Sequence, residues 1–405
     1  MLLPESYPTI TKDQLKEWAK TPSYRSLVSR IVPLYIGDEI PAQHLEDLLD
    51  KAFSTFTSPE LIPLQRLKNG LVIAEMFHGQ TWSFKDYAMS CVGQFLEYFL
   101  SRSKNHLTLL IATSGDTGSA AISAVRGMKW VDVVVFLPRD RCSKLQELQM
   151  TTVLEDNVHV YRADGCCDDM DDVFSKIHAD TEFVKRYNIG SLNSVNWARI
   201  MVQIVHYFYI YLKMEPDCEK EVEIVVPTGG CGNITAGCIA RKMGLPIKLV
   251  CAVNENDCVD KIVKEGSFVT KPTISTIAPS MDIQVRSYIG SFSVKEADIK
   301  ATIKRCYNEN DYILCPHTAV AVTYHYKQQS IGENSNMARV VVATASPRKF
   351  SEALQESGVP FKSDKSVAEL QAAPTRYTDL EKNEDWLQAL REKILEIAER
   401  QKTVD

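Results

Sequence analysis

"VEIVVPTGGCGNITAG", residues 222–237, runs from an apolar stretch through a glycine-rich turn into a segment with helical texture. The apolar run is nearly continuous rather than alternating, as in a strand buried on both faces of a parallel sheet. Gly229, Gly230 and Gly232 then crowd into four positions, with Asn233 following. Backbone N–H groups in such a turn stand uncovered by side chains, at the start of a helix. That arrangement attracts an anion, and a phosphate ester with two negative charges suits it. Two other phosphate loops fit less well. A dinucleotide fingerprint read from Gly230 needs glycine where Thr235 stands, although "NEND" after the next strand could mimic its ribose acid. A Walker loop read from Gly232 and Gly237 meets Cys238 and Ile239 in place of its lysine and hydroxyl.

The same texture recurs along the chain. "LTLLIAT" (107–113), "VDVVVFLP" (131–138), "VHVYRA" (158–163), "IKLVCAV" (247–253) and "ARVVVATA" (338–345) are each β-branched or apolar, and helical patterns alternate with them. Strands alternating with helices predict an α/β fold with parallel sheets covered on both faces. Ligands in such folds bind beyond the carboxyl ends of strands, so the loops after these runs are where chemistry belongs. Before them, residues 12–56 carry apolar spacing of three and four, a small helical region. A charged linker after a helix ending before Pro216 marks a boundary. The close, "WLQALREKILEIAERQ", reads as one amphipathic packing helix.

Composition narrows the class. The 405 residues are 45% hydrophobic, enough for two cores, and the net charge of −6 with no basic run argues against a nucleic-acid partner. Eleven cysteines without a CxxC pair read as reduced thiols in an intracellular, cytoplasmic setting. Glu5 and Asp13 break any secretory signal, and no 18-residue apolar run provides a membrane span. The pattern calls for no metal.

A second glycine turn lies in "IATSGDTGSAAISAV", where Ser114, Gly115, Asp116 and Thr117 lead into an alanine-rich helix. It is either an anion-binding helix start or a plain turn with an aspartate cap. "GQTWSFKDYA" (79–88) sets Lys85 among aromatics. Desolvation lowers a lysine's pKa and makes it a nucleophile. A lysine of that kind, with a monophosphate cradle and parallel sheets, has pyridoxal 5′-phosphate as its usual partner. The plain alternative is a lysine snorkelling from an apolar helix face.

"HGQTWSFKD" (78–86), "TSGDTGSAA" (113–121), "SLNSVNWAR" (191–199), "PTGGCGN" (227–233), "CPHTAVAVTYHY" (315–326) and "ATASPRKF" (343–350) stand in the order of the threonine synthase family, and resemble most its animal threonine synthase-like 2 branch. The resemblance covers nearly the whole chain. It implies fold type II of the pyridoxal phosphate enzymes, similar to the tryptophan synthase β chain: two open, twisted, parallel-type sheets flanked by helices, with two α/β domains around the cofactor. The domains expected are a helical region at 1–58, a large cofactor-binding domain at 59–100 and 206–405, and a small one at 101–205. By the resemblance, Lys85 is the Schiff-base lysine, and Gly229, Gly230, Cys231, Gly232 and Asn233 hold the cofactor phosphate. Thr318 faces the pyridine nitrogen, or else is a helix cap. Ser114, Gly115, Asp116 and Thr117 take the substrate carboxylate. Asn193, Ser194, Asn196 and Arg199 border the substrate phosphate, a surface salt bridge being the alternative for Arg199.

The implied activity is a phospho-lyase converting O-phosphohomoserine to 2-oxobutanoate, ammonia and phosphate, with O-phosphothreonine as a further substrate. Threonine synthesis from O-phosphohomoserine is the nearest alternative. A silent cofactor-binding relative with a signalling role is another, and a nucleotide-binding oxidoreductase rests on the glycine loops alone. Homodimers are common in this fold type. Two departures stand out. The chain opens at "MLLPES", about where the family's first turn ends, and "SMDIQVRSYIGSFSVKEADIK" (280–300) passes by several dozen residues that in the family carry an asparagine–glutamate–arginine element.

Overall fold

Every apolar run read from the sequence becomes a strand. The structure, a computed structural model, describes residues 4–266, 276, 289–331, 337–361 and 364–402. In chain order its strands are β1 (Leu64–Arg66), β2 (Val72–Glu75), β3 (Leu107–Ala112), β4 (Val131–Pro138), β5 (Val158–Ala163), β6 (Ile189–Ser191), β7 (Val222–Pro227), β8 (Ile247–Val253), β9 (Ile289–Ser293), β10 (Ala338–Ala343) and β11 (Thr378–Leu380). The additions to the sequence reading, β1, β2, β6, β9 and β11, have three to five residues each. Runs that short give no periodicity to read.

The chain divides into two compact units, Met1–Ala88 with Trp197–Lys362, and Met89–Asn196 with Ser363–Asp405. The first holds a six-stranded sheet in the order β1-β2-β10-β7-β8-β9, parallel throughout except for β1 against β2. Helix Pro316–Ser330 packs on β7, β8 and β10, and its Ala319, Val320, Ala321 and Val322 join Ile73, Val225, Val250 and Val341 in one core. Each valine or isoleucine side chain removed from water there contributes about 1.5–3 kcal/mol. The expected N-terminal helices are present as Lys12–Ala19, Tyr24–Ile31, Pro33–Ile36 and Ala42–Phe53. Tyr24 docks them: its ring meets Phe53, Tyr87 and Tyr209 edge-on, and its hydroxyl bonds His206 Nδ1 at 2.9 Å.

The second unit carries the all-parallel sheet β11-β5-β4-β3-β6. Residues 364–402, placed from sequence in the larger domain, belong to this unit. The reason is pairing: Thr378–Leu380 adds to β5, and the helix Trp386–Lys402 buries Trp386, Leu390, Ile394 and Ile397 in the core with Phe136 and Phe174. The segment "SMDIQV" (280–285) lies outside the described residues. Among the described residues no helix is long and apolar enough to cross a membrane, and no group of His, Cys, Asp and Glu could hold a metal ion.

Candidate active site

The carboxyl ends of β2, β10 and β7 form one rim, because the strands are parallel neighbours in level register: Ala343 opposes Glu75, and Val341 opposes both Ile73 and Val225. Lys85 follows β2, the segment Thr344–Phe350 follows β10, and the glycine turn follows β7. Neighbouring strands lie about 4.8 Å apart, so β2 and β7 stand about 10 Å apart, the scale of a small cofactor.

Lys85 opens the helix Lys85–Ser103 and is half-buried. Of its aromatic neighbours in sequence, Phe84 lies under the amine, with Nζ 4.7 Å from the ring centroid. Trp82 instead lies under the Arg348 guanidinium at 4.9 Å, and Tyr87 turns into the core. The turn before Lys85 is tied to the rim: Phe84 N donates to Thr344 O at 2.8 Å, and Ser346 N donates to Trp82 O at 2.9 Å. Trp82 sits at φ +60°, a left-handed conformation that costs a side-chain-bearing residue roughly 1–2 kcal/mol.

The glycine turn ends at Cys231, which opens the helix Gly232–Lys242 without a side-chain cap. Its first N–H groups therefore keep the positive end of the helix dipole. Asn233 is buried, and the Tyr207 hydroxyl lies 2.9 Å from its carbonyl oxygen and 3.0 Å from its Oδ1. Gly237 lets that ring approach, since a Cβ there would meet Tyr207 Cε1 at 2.6 Å.

Thr318 is wholly buried in the first turn of Pro316–Ser330, but it is not the cap. Cys315 is the N-cap: its Sγ accepts from Thr318 N at 3.3 Å and lies 3.0 Å from Thr318 Oγ1. Cysteine is not among the favoured capping residues, so sequence offered no signal for this role. Cys315 also packs with Ala345 and Phe350, and Ala345 bridges to Ser83 in Lys85's turn. Lys85's turn, Thr318's helix start and the segment after β10 thus meet.

The remaining residues divide between the units. In the second unit, Gly115 caps the helix Asp116–Val125 at φ +143°, and the Thr113 hydroxyl accepts from Gly115 N and Gly118 N at 3.0 Å each. Asp116 is therefore not the cap; its Oδ1 accepts from Gln146 Nε2 at 2.8 Å. Ser114 and Thr117 are half-buried beside it. After β6, Asn193 Nδ2 donates to Ala112 O at 3.1 Å, Asn196 Nδ2 donates to Ser191 O at 3.0 Å, and Ser194 is half-buried. Asn193 Oδ1 is buried without a hydrogen-bond partner among the described residues. Arg199 belongs to the first unit, on the helix Trp197–Met214. It is 2% exposed, which removes the surface salt bridge as its role. Burial lowers its pKa to about 10, so it keeps its charge at neutral pH.

An amine and a helix start without a side-chain cap stand on one parallel rim, and residues 57–345 match the family model described as pyridoxal-phosphate dependent enzyme, which gives the class. Residues 1–53 match the threonine synthase N terminus, and 318–394 the threonine synthase C-terminal region. A threonine synthase-like 2 from Xenopus laevis is 44% identical, the match covering 99% of this chain and 93% of that protein. A crystal structure of pyridoxal phosphate-bound threonine synthase from Brucella melitensis superposes with TM-score 0.86 at 29% identity, over 97% of this chain and 92% of that one. Yeast threonine synthase gives TM-score 0.86 at 31% identity, with the same coverage. The chain belongs to the threonine synthase family. The Xenopus alignment runs over 444 residues against a chain of 405, so that relative carries segments without counterpart here.

The residues present fit the cofactor. A Cβ at Gly230 would meet no atom within 4 Å, which leaves room over the turn for a phosphate. Gly230→Ala should therefore leave stability within about 0.5 kcal/mol of the parent. It should weaken pyridoxal phosphate binding roughly tenfold or more, because the new methyl competes with the anion for backbone donors. Thermal melts and a cofactor titration check the two halves separately.

Proposed function

We propose that this enzyme is a phospho-lyase that converts O-phosphohomoserine to 2-oxobutanoate, ammonia and phosphate, with O-phosphothreonine as a second substrate. Bound at the rim, pyridoxal phosphate supplies an electron sink for the substrate's α-carbon. The N–H groups of Gly229–Asn233 would hold its phosphate, Lys85 Nζ would bind its aldehyde, and the Thr318 hydroxyl would serve its ring nitrogen. With a substrate bound, the Lys85 amine would be the base that takes the α-proton and returns it elsewhere. Ser114, Gly115, Asp116 and Thr117 take the α-carboxylate at a helix start.

The observation that carries the substrate is Arg199. The glycine turn serves the cofactor phosphate, so a phosphorylated amino acid needs a separate partner for its own phosphate, and Arg199 is buried and charged. Its planar fork matches phosphate oxygens, with Asn193, Ser194 and Asn196 as neighbours in sequence. Both outcomes of phosphate loss consume one water. Addition to the β-carbon gives threonine; hydrolysis of the carbon–nitrogen bond gives 2-oxobutanoate and ammonia. The likeness to threonine synthases supports the first as the second reading.

The test is an assay of the cofactor-loaded full chain with O-phosphohomoserine, measuring phosphate, 2-oxobutanoate and threonine together. Equal phosphate and 2-oxobutanoate supports the lyase. Threonine in place of 2-oxobutanoate replaces it with the synthase. Bound cofactor with no phosphate released from either substrate refutes both and leaves a binding role.

A further inference from the structure

Lys349 is the anomaly of the rim. It is 1% exposed, and lysines are almost never fully buried unless paired. Its Nζ donates to Thr81 O at 2.8 Å. The other polar groups of Thr81 go to Asp86, itself 3% exposed: Thr81 N donates to Asp86 Oδ2 at 2.9 Å, and the Thr81 hydroxyl donates to Oδ1. Ser83 N adds a longer bond to Oδ2 at 3.4 Å. Asp86 immediately follows Lys85, and the knot spans Gly79 to Asp86. Gly79 is required there because a Cβ would stand 2.4 Å from Asp86 Cβ. Burial raises the Asp86 pKa, while the Thr81 bonds and the charge of Lys349 oppose that rise.

Two buried charges bridged by one threonine are a poor device for stability alone, since well-packed apolar groups often replace buried ionic groups without loss. What it supplies is fixed points. We propose that Lys349 and Asp86, bridged by Thr81, lock the turn Gly79–Asp86, strained at Trp82, in the conformation that presents Lys85 to the cofactor. Lys349 is thus a positioning residue, acting through Thr81 and Asp86. This rests on Lys85 being the cofactor amine, as proposed above.

The test compares the full-length parent, Lys349→Met and the double variant Asp86→Asn/Lys349→Met, which strands no buried charge. Three quantities are read: melting temperature, pyridoxal phosphate affinity, and circular dichroism in the cofactor's visible band, which reports how Lys85 orients it. Lys349→Met should bind at least tenfold more weakly and lose the induced dichroism. The double variant should recover much of the melting temperature without recovering the dichroism. A double variant with parental affinity and dichroism overturns the proposal, leaving Lys349 as scaffold. If neither variant folds, Thr81→Val, which removes only the hydroxyl on Asp86, decides by the same affinity and dichroism. A parent that attaches no cofactor at Lys85 fails the earlier reading and takes this one with it; a parent that does, with indifferent variants, fails this one alone.

Discussion

Lys85→Ala should purify without the visible absorbance of bound pyridoxal phosphate and release phosphate from O-phosphohomoserine at least about a thousandfold more slowly than the parent. The magnitude combines two losses, the covalent hold on the cofactor and the base that moves the α-proton, the latter alone worth about 10²–10⁴-fold. Stability should change little, because Lys85 is a half-buried residue at a helix start and no core contact is deleted. Borohydride reduction followed by peptide mass mapping makes the assignment residue by residue. The parent should carry pyridoxyl on the peptide containing Lys85, and the variant on none. Pyridoxyl on Lys349 in the parent would be the most damaging result, because that amine donates to Thr81 O and is wholly buried.

The parts of this site legible in sequence are those whose chemistry is local. Gly229, Gly230 and Gly232 fall within four consecutive positions after an apolar run that reads as a buried strand. The strand two places away on the rim, β2, is not legible, because four residues are too few to show a pattern; Lys85 stands out through its motif instead. The residues that sequence missed are those defined by a distant partner. Lys349 looks like any surface lysine until the fold lays it against Thr81, 268 residues away. Cys315 defied capping preferences, and so Thr318 was weighed as the cap. For Arg199 a surface ion pair stands beside the ligand role in sequence, because a sequence shows the charge of an arginine and not its burial. The placement of residues 364–402 with the larger domain has a related reason: the strand Thr378–Leu380, which pairs with β5, is only three residues long, and no periodicity marks it.

The role of Asp132 is not legible in the sequence either. It is the second residue of β4, 1% exposed, in a strand of otherwise apolar residues. An ionised carboxylate only accepts hydrogen bonds, and four side chains supply them. His106 Nε2 reaches Oδ2 at 2.8 Å, His159 Nε2 reaches Oδ1 at 2.8 Å, Arg400 donates to Oδ1, and Gln401 Nε2 reaches Oδ2 at 3.3 Å. One carboxylate therefore fastens the approach to β3, the strand β5 and the C-terminal helix together. Removing one member of a buried ionic network costs about 3–5 kcal/mol, because the partners keep their desolvation without their bonds. Asp132→Asn should thus lose about 3 kcal/mol at pH 7 by denaturant unfolding, most of it in the unit that holds Trp386–Lys402. The pH dependence follows from the same bonds. Burial raises the carboxyl's pKa, but the two histidines and Arg400 outweigh it and hold the group well below the usual carboxylate range. A carboxyl depressed in the folded state stabilises above its unfolded value of about 3.9, and that stability fades as pH falls toward the folded one. The gap between parent and variant should therefore be full from pH 5 to 7 and narrow below about pH 4. A gap that stays constant down to pH 3, or that is already absent at pH 7, would mean the carboxylate is not what holds the three segments.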